Sequence, residues 1–294
     1  MNLSAAPAAR TPSSAVRIPN LLTIAGVDPS GGAGVLADVK TFSALGTWGC
    51  AVICALTAQN TRAVTGIQGI APDFIRLQID TLFDDVKIDS AKIGMLGTAA
   101  IARSVADALH ARPAAQAMPL VLDPVMVSKG GDVLLPRDAI QMLTEAVMPL
   151  ATIITPNLAE AALLLSQSRP ETVADMRRMA ERLRRLLPDH GERWVLLKGG
   201  HLQGDLVDLL FDGDRMIERR GERIDTRNLH GTGCTLSAAV AALLPQRPDV
   251  PSAVADALDY LEGALRASSQ LDVGRREGGQ GHGPVHHFHR LWKG

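Results

Sequence analysis

Residues 21–45 read LLTIAGVDPSGGAGVLADVKTFSAL. The opening LLTIA is a short apolar run, as expected of a strand buried on both faces. Glycines and short polar residues follow through Gly34. Beyond them Val35, Leu36, Val39, Phe42 and Leu45 recur at helical spacing. A strand, a glycine-rich turn and a helix thus share 25 residues, which is half of a parallel βαβ unit.

The same alternation runs along the chain. CAVICAL (50–56), SAKIGML (90–96), PLVLDPVM (119–126), ATIITPN (151–157) and WVLLKGG (194–200) read as strands. Helical patterns separate them at 71–86, 98–111, 136–150 and 171–187. Pro72 sits in the first turn of one of these, and Thr98 caps another. Residues 206–224 alternate over short runs around a DGD turn at 212–214, the pattern of an antiparallel hairpin. Helices at 232–244 and 251–269 follow. The expected fold is α/β, a mostly parallel sheet with helices on both faces and an antiparallel hairpin at one edge. With no internal repeat or linker, residues 19–294 read as one domain behind a disordered tail of residues 1–18.

Composition narrows the function. Of 294 residues, 46% are hydrophobic and only 3% aromatic, so Ala, Leu and Val must do most of the packing. Thirty basic and 31 acidic residues give a charge of −1, without the basic footprint of a nucleic-acid binder. Three cysteines, Cys50, Cys54 and Cys234, make no disulfide framework, and the first two read as small core residues. No apolar stretch reaches membrane-spanning length, and the Ala/Pro/Ser-rich start lacks the apolar core of a secretory signal. The expectation is a cytoplasmic protein acting on a small molecule.

In such sheets ligands bind beyond the carboxyl ends of the strands. The segments there are GVDPSGGAG, TAQNT, GMLG, DPVMVSKGGD, TPNLAE and KGGH. They hold most of the glycine and short polar residues and would meet on one rim. NLHGTGCTLS (228–237) adds a turn that opens a helix. The amides of Thr232, Gly233 and Cys234, with Gly231 before them, make an anion site there; an ordinary glycine turn is the plain alternative. The 25–34 loop fits neither G-x-G-x-x-G nor the Walker A pattern. Asp123, Asn157 and Glu160 could hold Mg²⁺ through water, although Glu160 also suits a helix N-terminus on its own. Lys198 at a strand end could neutralise a phosphate, and Gln59 could read the edge of a heterocycle. The HHFH cluster at 286–289 lacks zinc spacing and reads as a structural tail.

Taken together, TIAGVDPSGGAGVLADVKTFSALG, ALTAQNT, AKIGML, VLDPVM, ITPNLAEA, LLKGGH, HGTGCTLS and GPVHHFH resemble the bacterial hydroxymethylpyrimidine/phosphomethylpyrimidine kinases of thiamine biosynthesis. These belong to the ribokinase-like superfamily, and the resemblance spans residue 19 to the C-terminus. It implies a three-layer αβα sandwich and two successive ATP-dependent phosphorylations of 4-amino-5-hydroxymethyl-2-methylpyrimidine. It also implies that Gln59 binds the pyrimidine, with Gly26, Asp38, Met95 and Val125 lining the pocket. Gly231 to Cys234 would form the anion hole. Asp123 and Glu160 would belong to the Mg²⁺ region, and Lys198 and Asn157 to the nucleotide and phosphates. A homodimer is implied as well. HGTGCT and KGGH are shared with pyridoxal kinases, which makes pyridoxal phosphorylation, alone or as a second activity, the alternative. A non-catalytic pyrimidine sensor would have lost the metal and nucleotide groups that this sequence keeps.

Many sugar kinases of the superfamily carry Asp where this chain has Cys234. A helix N-terminus lowers a thiol pKa, whereas nearby phosphates raise it. From sequence, Cys234 stands as the candidate base that accepts the substrate proton late in transfer.

Overall fold

A computed structural model describes residues 17–126, 135–200, 206–274 and 282–292. In chain order the elements are β1 (Asn20–Val27), α1 (Gly34–Ala44), β2 (Trp48–Gln59), β3 (Val64–Gly69), α2 (Pro72–Asp85), β4 (Ser90–Ile93), α3 (Ala99–His110), α4 (Pro113–Ala117) and β5 (Leu120–Leu122). They continue with α5 (Arg137–Met142), β6 (Ile153–Ile154), α6 (Leu158–Leu164), α7 (Val173–Arg184), β7 (Trp194–Lys198), β8 (Leu206–Phe211), β9 (Met216–Gly221), α8 (Thr232–Leu243) and α9 (Val250–Arg266).

The strands form one sheet in the order β3-β2-β1-β4-β5-β6-β7-β8-β9. The six strands from β2 to β7 in that order are parallel, and β3, β8 and β9 join antiparallel. Side chains alternate between two apolar layers, which is why the strands read as unbroken apolar runs. On β5, Leu120 and Leu122 pack with α2, α3 and α7, while Val121 packs with α1, α8 and α9. The three-layer αβα sandwich with an antiparallel hairpin at 206–221 is as the resemblance implied.

Several details differ from the sequence expectation, among them the short α4, which it did not foresee. The second strand is longer than 50–56 and runs through Gln59, then turns back into β3. That ribbon gave no signal because β3 (VTGIQG) is exposed throughout and its two apolar residues, Val64 and Ile67, do not alternate. The helix expected over 136–150 is α5 followed by a π-turn at 143–147 and a 3₁₀ turn at 148–150, where Pro149 cannot continue an α-helix. Residues 1–16 of the expected tail and the VSKGGD loop (127–132) lie outside the described residues. Among the described residues no helix is long and apolar enough to cross a membrane.

Candidate active site

The first turn of α8 is built to stay open. Its N-cap is Gly231, in the left-handed region at φ 75°, and no side chain caps the helix. A side chain at Gly231 would stand 1.7 Å from the Gly32 carbonyl oxygen, so only glycine lets the two loops meet. The Thr232 amide makes a long bond of 3.4 Å to the Leu229 carbonyl. It is therefore a poorer free donor than the sequence suggested. Gly233 and Cys234 follow within the first turn, where an α-helix leaves its amides without intrahelical partners.

Beside this turn lie the groups from β5, β6 and β7. A Cβ at Gly233 would be 3.3 Å from Lys198 Nζ and 3.7 Å from Asp123 Oδ2. Lys198 Nζ donates to Asp123 Oδ1 at 3.3 Å. Thr155 Oγ1 donates to the same oxygen, and Ser237 Oγ to the other. Burial pushes the Asp123 carboxyl up, but Lys198 and Lys92 outweigh it and hold it below its ordinary range. Burial likewise works to lower Lys198, and Asp123 and Glu160 outweigh it, so its pKa is raised.

Asn157 and Glu160 form a capping box on α6. Asn157 Oδ1 accepts from the Ala159 and Glu160 amides, and Glu160 Oε2 accepts from the Asn157 amide at 2.8 Å. The plain role for Glu160 is therefore filled. It is also buried, and burial, with Asp123 adding to it against Lys198, pushes its pKa up to about 7. Among the described residues no three His, Cys, Asp or Glu side chains are placed to cage a metal ion. Asp123 and Glu160 fit the looser style of Mg²⁺, which keeps its waters and takes one or two carboxylates plus phosphates. A cation near both would offset the burial and the Asp123 charge that raise Glu160.

Beneath Cys234 lies a second charge pair. Lys92, on β4 between Ala91 and Ile93, alternates toward the α1–α8 layer, and no part of its side chain reaches solvent. Its Nζ donates to both oxygens of buried Asp38, at 2.9 and 3.0 Å, and Thr23 Oγ1 donates to Asp38 at 2.6 Å. Burial works to lower Lys92, but Asp38, Cys234 and Asp123 outweigh it and hold it cationic. Cys234 feels both these charges and its own burial. Burial pushes the thiol up to about 11, Lys92 pulls the other way, and Asp38 and Asp123 add to the rise. The balance of these influences favours the protonated thiol.

The remaining expected residues line the ends of β1, β2, β4 and β5. The Gly26 amide donates to the Met95 carbonyl, and Met95 Cε packs where a Gly26 side chain would be. The Val125 amide closes a tight turn on the Asp123 carbonyl at 2.8 Å. Gln59 Oε1 accepts from Thr57 Oγ1 at 3.2 Å. Asp38 differs from the expectation of a pocket wall: its two oxygens are committed to Lys92 and Thr23 at zero exposure.

Sequence reasoning did not single out Lys92, Thr155, Ser237, Asp28 or His230. A lysine inside the strand run SAKIGML was the one legible clue, since a charge in a buried strand needs a partner. The HHFH segment packs on the helices: the His286 amide donates to Ala264, Tyr260 donates to the His287 carbonyl, and His287 Nε2 meets Thr235 Oγ1 at 3.2 Å.

Residues 28–286 match the profile of a family described as phosphomethylpyrimidine kinase. The chain is 47% identical over 273 residues to the hydroxymethylpyrimidine/phosphomethylpyrimidine kinase of Rhizobium meliloti, covering 92% of this chain and 98% of the relative. A crystal structure of phosphomethylpyrimidine kinase from Clostridium difficile superposes with TM-score 0.74 at 38% identity, covering 84% of this chain and 99% of that one. An ADP complex of Bacillus subtilis pyridoxal kinase superposes with TM-score 0.80 at 34% identity, covering 94% of this chain and 100% of the other.

Proposed function

Because the chain belongs to the phosphomethylpyrimidine kinase family, we propose that it phosphorylates 4-amino-5-hydroxymethyl-2-methylpyrimidine twice with ATP, in thiamine biosynthesis and in the cytoplasm. The first transfer is to the hydroxymethyl oxygen, and the second makes the diphosphate from the monophosphate. The observation that carries the reading is the uncapped N-terminus of α8 with Lys198 and Asp123 at its first turn.

Transfer of a phosphoryl group through a loose transition state needs positioning and charge neutralisation more than covalent help. The amides of the Gly231–Cys234 turn supply fixed partial positive charge, and Lys198 supplies a full one. Asp123 holds Lys198 in place through the 3.3 Å bond. Asn157, which starts α6 beside Lys198, would border the nucleotide phosphates. Asp123 and Glu160 would hold Mg²⁺ through water, and the ion when bound would neutralise phosphate charge. Gln59 would read the ring edge, with Gly26, Met95 and Val125 forming the pocket and Asp38 supporting it from below.

The test is ADP release by purified protein with Mg·ATP, offering hydroxymethylpyrimidine, its monophosphate and pyridoxal separately. Turnover with the first two is expected. Activity on pyridoxal alone would move the assignment to pyridoxal kinase, the activity named for the Bacillus subtilis neighbour. Tight pyrimidine binding without turnover would leave a sensor. We also propose a homodimer, for which the exposed apolar β2–β3 ribbon is the support.

A further inference from the structure

The α8 N-terminus has no side-chain cap of its own, because Gly231 must be bare both to turn the chain and to approach Gly32. Something else must fix the direction of that first turn. The residue just before it, His230, is tied on two sides. Its backbone amide donates to the Gly283 carbonyl at 3.0 Å, and its Nε2 stands 2.7 Å from Asp28 Oδ2. The imidazole edge lies so close to Gly32 that a Cβ there would be 2.3 Å from His230 Cδ2.

Asp28 is equally committed. It is 3% exposed, and it accepts from the Ser30 amide and hydroxyl and from the Ala33 amide, all within 3.0 Å. One carboxylate thus shapes the 28–33 loop and reaches across to the residue that precedes the α8 turn. Burial works to raise the Asp28 carboxyl, but His230 and Ser30 outweigh it, so it stays an anion well suited to hold the imidazole.

We propose that His230 and Asp28 form a positioning pair that locks the Gly231–Cys234 turn to the 26–34 loop, so that phosphate-holding amides and the substrate loop move as one body. This rests on the kinase function proposed above. In this role neither residue acts on the reacting atoms directly. The pair acts on alignment, where a displacement of about 1 Å costs on the order of 100-fold in rate.

The experiment compares wild type with His230→Ala, His230→Gln, Asp28→Asn and the double variant H230A/D28N. Steady-state kinetics are read with ATP and hydroxymethylpyrimidine, alongside Tm and hydrogen exchange of peptides covering 26–34 and 228–237. Expected for His230→Ala is a kcat about 10- to 100-fold lower, with each KM within about threefold. His230→Gln, whose amide can still donate to Asp28, recovers most of that loss. The double variant is no worse than the worse single, since one interaction is removed either way. Exchange rises in both loops together for either single variant. An unchanged kcat at unchanged Tm, losses that multiply in the double variant, or faster exchange in one loop alone would each overturn the pair. If wild type turns over no pyrimidine, the function fails, and the exchange result still judges the coupling.

Discussion

Burial sets the Cys234 thiol well above its ordinary range. With the thiol near 11, about one molecule in 10⁴ is ionised at pH 7. A thiol that already holds a proton cannot accept another, so a base role requires prior ionisation. Its rate contribution must then climb with pH through the range below 11. The prediction is a wild-type kcat that rises about tenfold per pH unit above neutrality, and a Cys234→Ala variant that is slower by about 100-fold or more and has lost that slope. Near-normal turnover of Cys234→Ala with an unchanged profile would remove the base and leave the amides as the site. The identity of this cysteine was plain in HGTGCT. Its protonation was not, because burial, Lys92, Asp38 and Asp123 all act on it from other elements.

Helices α6 and α8 end differently on the same rim. Asn157 and Glu160 close α6 with a reciprocal cap, whereas Gly231 leaves α8 open. That contrast supports the proposed anion site on α8 and leaves Glu160 with two duties to separate, cap and metal support. Glutamine separates them, since it serves equally at the third position of a capping box. The folded-state pKa of Glu160 is raised from 4.5 to about 7. A raised carboxyl contributes stability that is present below 4.5 and is lost as pH rises through 7. Glu160→Gln should therefore be more stable than wild type at pH 8, by on the order of 3 kcal/mol, with the gap closing below pH 4.5. Urea unfolding at the two pH values measures it. If Glu160 also supports Mg²⁺, the variant needs more Mg²⁺ for half-maximal rate; an unchanged requirement would leave it a cap alone.

At the scale of the whole molecule, the sheet ends in antiparallel ribbons on both sides, and they differ in cover. Strand β8 is buried over most of its length, while every residue of β3 is exposed. Leu56, Val64 and Ile67 on that ribbon show 49%, 45% and 60% of their surface. An apolar edge strand left open invites pairing with another chain. A second copy of this chain would cover it. Light scattering should then give about twice 31.1 kDa, and Ile67→Glu should give the single-chain mass with little change in Tm. A wild-type mass of one chain would overturn the dimer. The ribbon itself was invisible in the sequence, because exposed VTGIQG carries neither period.

From the residues alone came the order of the main strands and helices, the open turn at Gly231, the rim of loops and the family resemblance. Those features are local: hydrophobic period, glycine at a tight turn, and motif spacing are written in neighbouring residues. The charge pairs that organise the rim are not local. Lys92 meets Asp38 from 54 residues away, Lys198 meets Asp123 from 75, and His230 meets Asp28 from 202. A lysine or aspartate reads as a solvated charge until the fold removes water around it, and only then must it find a partner. The sandwich removes that water at the carboxyl ends of β1, β4, β5 and β7, and so settles which charges face each other, how firmly Cys234 holds its proton, and which helix end stays open.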